Sequence, residues 1–216
     1  MKSYSYHKFK YEINGEIEVK PDRAHFPLII SSRGETYQAS LRNATRVIEQ
    51  LKDAIQKENK SHFIISPADF FESHKNLKRM LKVTFFGKDK DEASTNLTLC
   101  LTVKFEDKND FWDRADSVAQ ALDFLDDFMK AHDRKENIAL SREAMFYEVD
   151  NKEQFREEIV QIIYSKAKKV ADVIGQNEGR EPKVREVKFE QNIREEILNF
   201  NKALLSIDAR MEFSFE

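Results

Sequence analysis

Titratable side chains cluster just after a Pro-Asp pair near the start of the sequence. Asp22, Arg23 and His25 follow Pro21 within four positions. A carboxylate, a guanidinium and an imidazole brought together could transfer protons or bind a charged substrate. If the chain is an enzyme of the hydrolase type, we therefore expect its site to be assembled near the Pro21-Asp22 corner, with His25 as the central group.

The other histidines do not form a metal-binding pattern. His7, His62, His74 and His132 are scattered along the chain, and no HxH or HExxH pair occurs. Metal ions in proteins are commonly held by such closely spaced ligands. We interpret these histidines as isolated surface or strand residues, and we predict no metal site and no cofactor.

Three aspartates share one side of a predicted helix. Asp123, Asp126 and Asp127 are spaced i, i+3 and i+4, a spacing that could bind a hard cation or a basic partner. These residues lie off the face that carries Leu122 and Leu125. We favour a solvated acidic face over a binding site.

Cys100 is the only cysteine, so the chain cannot form an internal disulfide. It alternates with Thr98 and Thr102 and is predicted to point away from the leucines beside it. A reactive thiol needs a nearby cation or helix terminus to lower its pKa. We expect a small packed side chain, either under a second layer or at an interface, and a reducing compartment suits it.

Known catalytic and nucleic-acid-binding signatures are missing from the sequence. It contains no GxSxG, P-loop or GxGxxG motif, and its five glycines leave little material for phosphate-binding loops. The net charge is −3, and the basic runs at 75–79 and 166–169 are balanced by nearby acids. We predict neither catalytic residues nor nucleic-acid binding.

Alternating apolar residues predict two strands on either side of the Pro-Asp pair. Residues 11–19 and 24–30 alternate, and Pro21-Asp22 is predicted to turn the chain so tightly that the two strands lie side by side. Gly15 is interpreted as a bulge or a close backbone approach. Pro27 cannot donate a hydrogen bond, which favours an edge or bulged position for it.

Apolar periodicity predicts the remaining elements. They are, in order, a helix at 35–58, a strand at 61–66, a hairpin whose charged loop is 87–92, a helix capped by Asp110 with the stripe Phe111, Ala115, Val118, Leu122, Leu125 and Met129, a strand at 138–149, a helix at 152–174 capped by Gly175, a strand at 183–189, a short helix at 193–207 and a strand at 210–215.

This order predicts an α+β fold. We expect an antiparallel or mixed sheet with long helices on one face, and two strand-pair-plus-helix units near 9–58 and 80–132. The chain is predicted to be one domain, 1–216. Within it, 9–70 with the C-terminal strands and 77–175 could form subdomains.

The N-terminal pattern resembles the opening of SIMPL-domain proteins. There, as in the run from Asn14 and Gly15 to Pro21-Asp22 and Ala24, a glycine-containing strand leads through Pro-Asp to a second strand and a long helix. The Ala- and Lys-rich helix ending near Gly175 and the closing strands are also similar to that family. The resemblance spans roughly residues 11–215.

The resemblance implies a self-associating α+β domain without a shared catalytic site. Bacterial members are usually exported and linked to envelope or oxidative-stress phenotypes, and animal relatives to kinase signalling. This sequence differs in its few glycines and its charged 88–92 loop. It shows no apolar leader and no membrane-spanning window, so a cytoplasmic location is expected, or a periplasmic one if a leader was removed.

We therefore expect a non-enzymatic binding and assembly module related to stress or the envelope. Its expected partners are further copies of the chain and other proteins. A hydrolase-type enzyme with its site near the Pro21-Asp22 corner is the alternative.

Overall fold

Two antiparallel sheets and three long helices form the part of the chain that the structure describes. The computed structural model describes residues 8–58, 60, 62–67, 84–89, 92–132 and 137–215. The strands are β1 (Lys8–Val19), β2 (Arg23–Gly34), β3 (Phe63–Pro67), β4 (Thr84–Asp89), β5 (Glu92–Lys104), β6 (Ile138–Arg142), β7 (Phe146–Glu148), β8 (Pro182–Phe189), β9 (Arg194–Asn199) and β10 (Lys202–Phe215). The helices are α1 (Tyr37–Lys57), α2 (Phe111–His132) and α3 (Arg156–Glu178), with a 3-10 turn (Lys152–Phe155) before α3. The predicted α+β fold class is confirmed.

The chain divides into two compact units. Unit 1 comprises Met1–Pro21 and Val149–Glu216, and unit 2 comprises Asp22–Glu148. The subdomain boundaries expected from the sequence are wrong, because the strands that flank the Pro-Asp corner belong to different sheets. The corner carries the chain out of one sheet and into the other, so the predicted side-by-side pairing of these strands is also wrong.

Unit 1 is one sheet covered on one face by α3. In this sheet, called sheet A, β10 is central, with β1 along one side and β8 and β9 along the other. Every second residue of β1 and β10 points toward α3, which gives one continuous apolar layer. Its fully buried members include Ala203, Leu205, Ile207, Met211, Phe213, Ile159 and Ile163.

Gly15 allows α3 to approach β1 closely. A Cβ at this position would lie 2.6 Å from the Ile159 carbonyl oxygen and 2.6 Å from Cγ1 of Ile163. The β1–β10 register passes through Gly15 without a shift. The close-approach interpretation is therefore confirmed, and the bulge interpretation is wrong.

The helix predicted at 193–207 is wrong, since this segment forms β9 and the first part of β10. Ile193 and Ile197 fit both a helical and an alternating pattern, and they pack against the core of unit 1. From Ala203 to Phe213 every second residue is buried. That period of two continues through the 14-residue β10, and the longer pattern decides the structure.

Helix α3 continues past the predicted stop at Gly175 and ends at Glu178. Gly179 is the residue that follows, and its φ of 63° is left-handed, as expected of a glycine that terminates a helix. The Gly175 carbonyl accepts the amide of Arg180 at 3.2 Å. A Cβ on Gly175 would lie 2.6 Å from Cδ of Pro182, so this glycine leaves room for the start of β8.

Unit 2 is a second sheet, sheet B, in which β2 is central. Strand β2 pairs with β5 on one side and with β6 and β7 on the other, and β3 and β4 both pair with β5. Pro27 is thus buried inside the sheet, and its predicted edge position is wrong. Pairing with β7 ends at His25 and pairing with β6 begins at Leu28, so Pro27 occupies the break between them, where no donor is needed.

Helices α1 and α2 cover one face of sheet B. The buried residues of α1 are Ser40, Ala44, Val47, Leu51 and Ile55, and Leu41 is exposed. The buried stripe of α2 is rotated from the predicted one, and Phe111 is exposed. The cause is aromatic packing, because Phe124 contacts Phe63 of β3 at 5.8 Å between ring centroids. The observed stripe is Arg114, Val118, Ala121, Phe124, Leu125, Phe128 and His132.

Asp110 begins α2 as predicted. Its carboxylate accepts the Asp113 amide at 2.9 Å, and the Asp113 carboxylate accepts the Asp110 amide at 3.0 Å. This reciprocal pair satisfies two backbone donors at the helix start.

Replacing Gly15 by valine should destabilise unit 1 because the new side chain must enter space that α3 occupies. We expect the free energy of unfolding to fall by about 1–3 kcal/mol, the usual cost of overpacking. Chemical denaturation followed by circular dichroism measures this. Glu16→Val is the matched control, since it places the same side chain on the opposite, exposed side of β1 and should change stability by less than about 0.5 kcal/mol. Equal losses in both variants would contradict the close approach.

Candidate functional site

His25, the central candidate at the Pro-Asp corner, lies on the face of sheet B opposite α1 and α2. His25 is directly across from Thr102 in the β2–β5 register and from Phe146 in the β2–β7 register. Its neighbour Phe26 points to the helical face and is fully buried. The alternation of β2 therefore sends His25 to the face that carries Thr102 and Cys100.

His25 is held on three sides. A 2.9 Å hydrogen bond joins its Nδ1 to Oγ1 of Thr102, and a 3.0 Å hydrogen bond joins its Nε2 to Oε2 of Glu148. The Phe146 ring stacks on the imidazole with 4.8 Å between centroids. The His25 side chain is only 1% exposed and that of Glu148 is 13% exposed. This hydroxyl–imidazole–carboxylate chain, which we call the His25 network, connects β2, β5 and β7.

The order of groups in the His25 network resembles that of a hydrolytic triad, in which a carboxylate orients an imidazole that activates a hydroxyl. The His25 network differs from such a triad in its accessibility to substrate. The Thr102 residue is 4% exposed and His25 1%, so a substrate carbonyl cannot reach the hydroxyl in this conformation. In this conformation the network therefore acts as a set of buried, mutually satisfied hydrogen bonds that fix three strands.

Asp22 and Arg23 contribute to this region differently from what the sequence suggested. The Asp22 amide donates to the Glu148 carbonyl at 3.0 Å, and the Asp22 carbonyl accepts the Phe105 amide at 2.8 Å. Arg23 is opposite Glu148 in the β2–β7 register. The structure thus brings Asp22, Arg23 and His25 around the one residue that sequence reasoning missed, Glu148, which no local motif marks.

Arg114 is a buried cation near the same corner. Its guanidinium lies 5.0 Å from the centre of the Phe105 ring, and its Nε donates to the Asn109 carbonyl at 3.3 Å. Burial lowers the pKa of Arg114, whereas the carboxylates of Asp107 and Asp22 raise it. Asp22 therefore acts electrostatically on a structural arginine.

Cys100 is buried next to the His25 network, with 1% exposure. Burial raises the pKa of the Cys100 thiol to about 12, and this effect exceeds the opposing hydrogen bonds from Thr102 and the Phe26 backbone. The Glu148 carboxylate raises that pKa further. The thiol is therefore protonated near neutral pH and lacks the thiolate character of a nucleophile.

The remaining candidates separate into structural roles and residues outside the described part. His132 joins α2 to α1 through a 2.9 Å hydrogen bond to Gln50. The pKa of His62 is lowered, first by burial and second by the positive charge of Lys60. Asp126 pairs with Arg142 of β6 at 3.0 Å. The residues His7, His74 and 75–79 lie outside the described residues.

A second candidate region is the face of sheet A opposite α3, here called the outer face. Here Asn14 donates to Asp208 at 2.8 Å, Arg210 pairs with Glu12 at 2.9 Å, and Arg194 also contacts Asp208. A depression of about 400 Å³ follows the same residues and is lined by Glu12, Asn14, Lys188, Glu190, Asp208 and Arg210. The outer face is thus a charged, solvent-accessible surface that suits a polar partner.

Two charges on the outer face of β1 are not bonded to the residues across from them, which are Glu212 for Lys10 and Ser206 for Glu16. Within the described part of the chain, the exposed side chains of Lys10 and Glu16 make no hydrogen bond and no ion pair. By contrast, Glu12 and Glu18 on the same strand are paired with Arg210 and Lys202 of β10. Sequence reasoning missed this distinction, because alternation reveals which face a charge occupies but not which charges are neutralised.

Comparison with known proteins does not assign the chain to a family. The chain matches no protein-family model, and the search of curated proteins finds no relative. Across the described ranges, no three His, Cys, Asp or Glu side chains converge to hold a metal ion. Among the same residues, no helix is both long and apolar enough to cross a membrane.

Cys100 should be nearly inert toward thiol reagents in the native protein. Raising its pKa from 9.0 to about 12 lowers the thiolate fraction near neutral pH by roughly a thousandfold, and burial blocks access as well. We expect Ellman's reagent at pH 8 to react at least roughly a hundredfold more slowly with the folded protein than with protein unfolded in guanidinium. Comparable rates would show that the thiol is accessible and ionised.

Proposed function

We propose that the chain is a non-enzymatic binding and assembly module that acts through the sheet surface of unit 1. The observation that carries this proposal is the contrast between the two sheets. Sheet B buries His25 and Thr102 in the His25 network, whereas the outer face of sheet A exposes a charged surface with a depression of about 400 Å³. Exposed, geometrically ordered charges suit partner recognition, and buried ones suit stability.

The resemblance to SIMPL-domain proteins supports the same function. Because β1 and β2 do not pair, that resemblance depends on the order of the elements. The shared order is a glycine-containing strand, a Pro-Asp corner, a long helix, a late Ala- and Lys-rich helix and closing strands. Members of that family self-associate and lack a shared catalytic site. We extend this to a role in assembly, related to stress or to the cell envelope.

Self-association is the direct test of this proposal. Sedimentation velocity from ~1 μM to ~1 mM covers the affinities of transient and stable assemblies. We expect the weight-average mass to rise above the 25.4 kDa of one chain as concentration increases. A constant mass of one chain over this range, confirmed by light scattering, would contradict assembly.

A hydrolase is the second candidate, and the order of groups in the His25 network favours it. Thr102, His25 and Glu148 would act as nucleophile, base and orienting carboxylate. Substrate access would require β7, a strand of only three residues, to move away from β2.

Variants of Glu148 and His25 test the structural role of the His25 network and the hydrolase candidate separately. As a structural acceptor, Glu148→Ala should lower the free energy of unfolding by about 1–3 kcal/mol, and Glu148→Gln by less because an acceptor is retained. Neither the unmodified protein nor His25→Ala should hydrolyse chromogenic esters above the buffer rate. Ester turnover by the unmodified protein that His25→Ala abolishes would favour the hydrolase instead.

A further inference from the structure

We propose that two copies of this chain join through the free edge of β1, in an antiparallel register that places Ile13 opposite Ile13 of the second copy. The inference rests on the proposed assembly function and names its partner and its surface. It places Lys10 of each copy opposite Glu16 of the other. These two charges, which make no ion pair among the described residues of one copy, thereby neutralise each other between copies.

The edge itself is available in the described part of unit 1. Strand β1 is twelve residues long, and β10 is the one described strand that pairs with it. Among the described residues, the other side of β1 pairs with no strand, and such an edge of backbone donors and acceptors is how sheets extend from one chain to another. At this length, one added strand would satisfy a full row of backbone groups.

Charge and overlap together select the register. With Ile13 at the two-fold axis, Lys10 faces Glu16, and Glu12 faces Asn14, so no two like charges are opposed. Centring the pair on Glu12 would place Glu12 opposite its own copy, and centring it on Asn14 would place Glu12 opposite Glu16. Like charges directly opposite on neighbouring strands are destabilising, which disfavours both alternatives. Centring it on Tyr11 opposes no like charges but pairs only residues 8–14 of β1, whereas the Ile13 register pairs residues 8–18.

The apolar face of β1 fits the same register. Tyr11 is 45% exposed and Phe9 39% exposed, although both belong to the alternation that faces α3. In the proposed dimer Phe9 lies beside Ile17, and Tyr11 beside Gly15, of the second copy. Pairing thus removes from water two aromatic side chains that a single copy leaves partly exposed.

Lys166 competes with this pairing. Its ammonium donates to the Asn14 backbone carbonyl at 2.8 Å and so occupies an acceptor of β1. Lysines that block strand edges are a known protection against edge-to-edge association. The dimer must displace this contact, so Lys166 limits the affinity without contributing to specificity.

Exchange of the two charges tests the register. Lys10→Glu opposes two glutamates at each of two symmetric positions, and Glu16→Lys opposes two lysines. Each change should raise the dimer dissociation constant roughly tenfold, since two attractive pairs become repulsive. The double variant Lys10→Glu/Glu16→Lys recreates the opposite-charge pairs and should return the dissociation constant to near that of the unmodified chain. Lys166→Ala should lower the constant.

A matched exchange in unit 2 controls for general charge effects. Lys108 and Glu106 form an exposed ion pair at 2.6 Å, so Lys108→Glu and Glu106→Lys change the same charges away from β1 and should leave association unchanged. Circular dichroism confirms folding of every variant. If the unmodified chain associates but single and double exchanges on β1 have equal effects or none, the β1 register is wrong while the assembly function stands. If the unmodified chain does not associate at all, both proposals fail.

Discussion

Unit 2 depends on the backbone of Asp22, which joins its two ends. The Asp22 amide donates to the carbonyl of Glu148, the last residue of unit 2, and the Asp22 carbonyl accepts the amide of Phe105, which follows β5. The chain therefore enters and leaves unit 2 at adjacent positions. Strand β1, which precedes this point, pairs with β10 in a register that brings Lys8 opposite Ser214. The central pairing of unit 1 is thus a contact between residues far apart in the sequence, the kind of contact that slows folding.

The two sheets distribute polarity in opposite ways, and this difference has functional consequences. In sheet B, the polar alternation of β2 and β5 is buried at His25, Cys100 and Thr102, so His25 must form hydrogen bonds with Thr102 and Glu148. Such a network favours one arrangement of the strands, and in this conformation it is closed to substrates. In sheet A, the equivalent alternation is exposed, and its charges can exchange partners with little desolvation cost. The outer face of unit 1 therefore suits partner recognition better than the Pro-Asp corner does.

The sequence predicts local structure better than it predicts which strands meet. Alternation and helical spacing located β1, β2, α1 and α2 closely, and the parity of Cys100 placed its side chain on the correct face. Pairing failed at the Pro-Asp corner because a turn signal does not reveal whether the chain reverses within a sheet or crosses to another. Glu148 could not be found, since 123 positions separate it from His25. The segment 193–207 failed because sparse isoleucines fit both periods.

The close approach at Gly15 links the fold of unit 1 to its edge. Without a side chain at this position, α3 lies against β1, and this proximity lets Lys166 reach the Asn14 carbonyl. A twelve-residue edge strand with exposed aromatic rings would otherwise be prone to uncontrolled pairing. Lys166 protects the backbone of β1 from pairing. A strand that paired in a wrong register would oppose like charges, and this repulsion restricts which strand can displace Lys166. The same few residues thus disfavour general aggregation and still permit one symmetric pairing, which is the combination that a reversible assembly module requires.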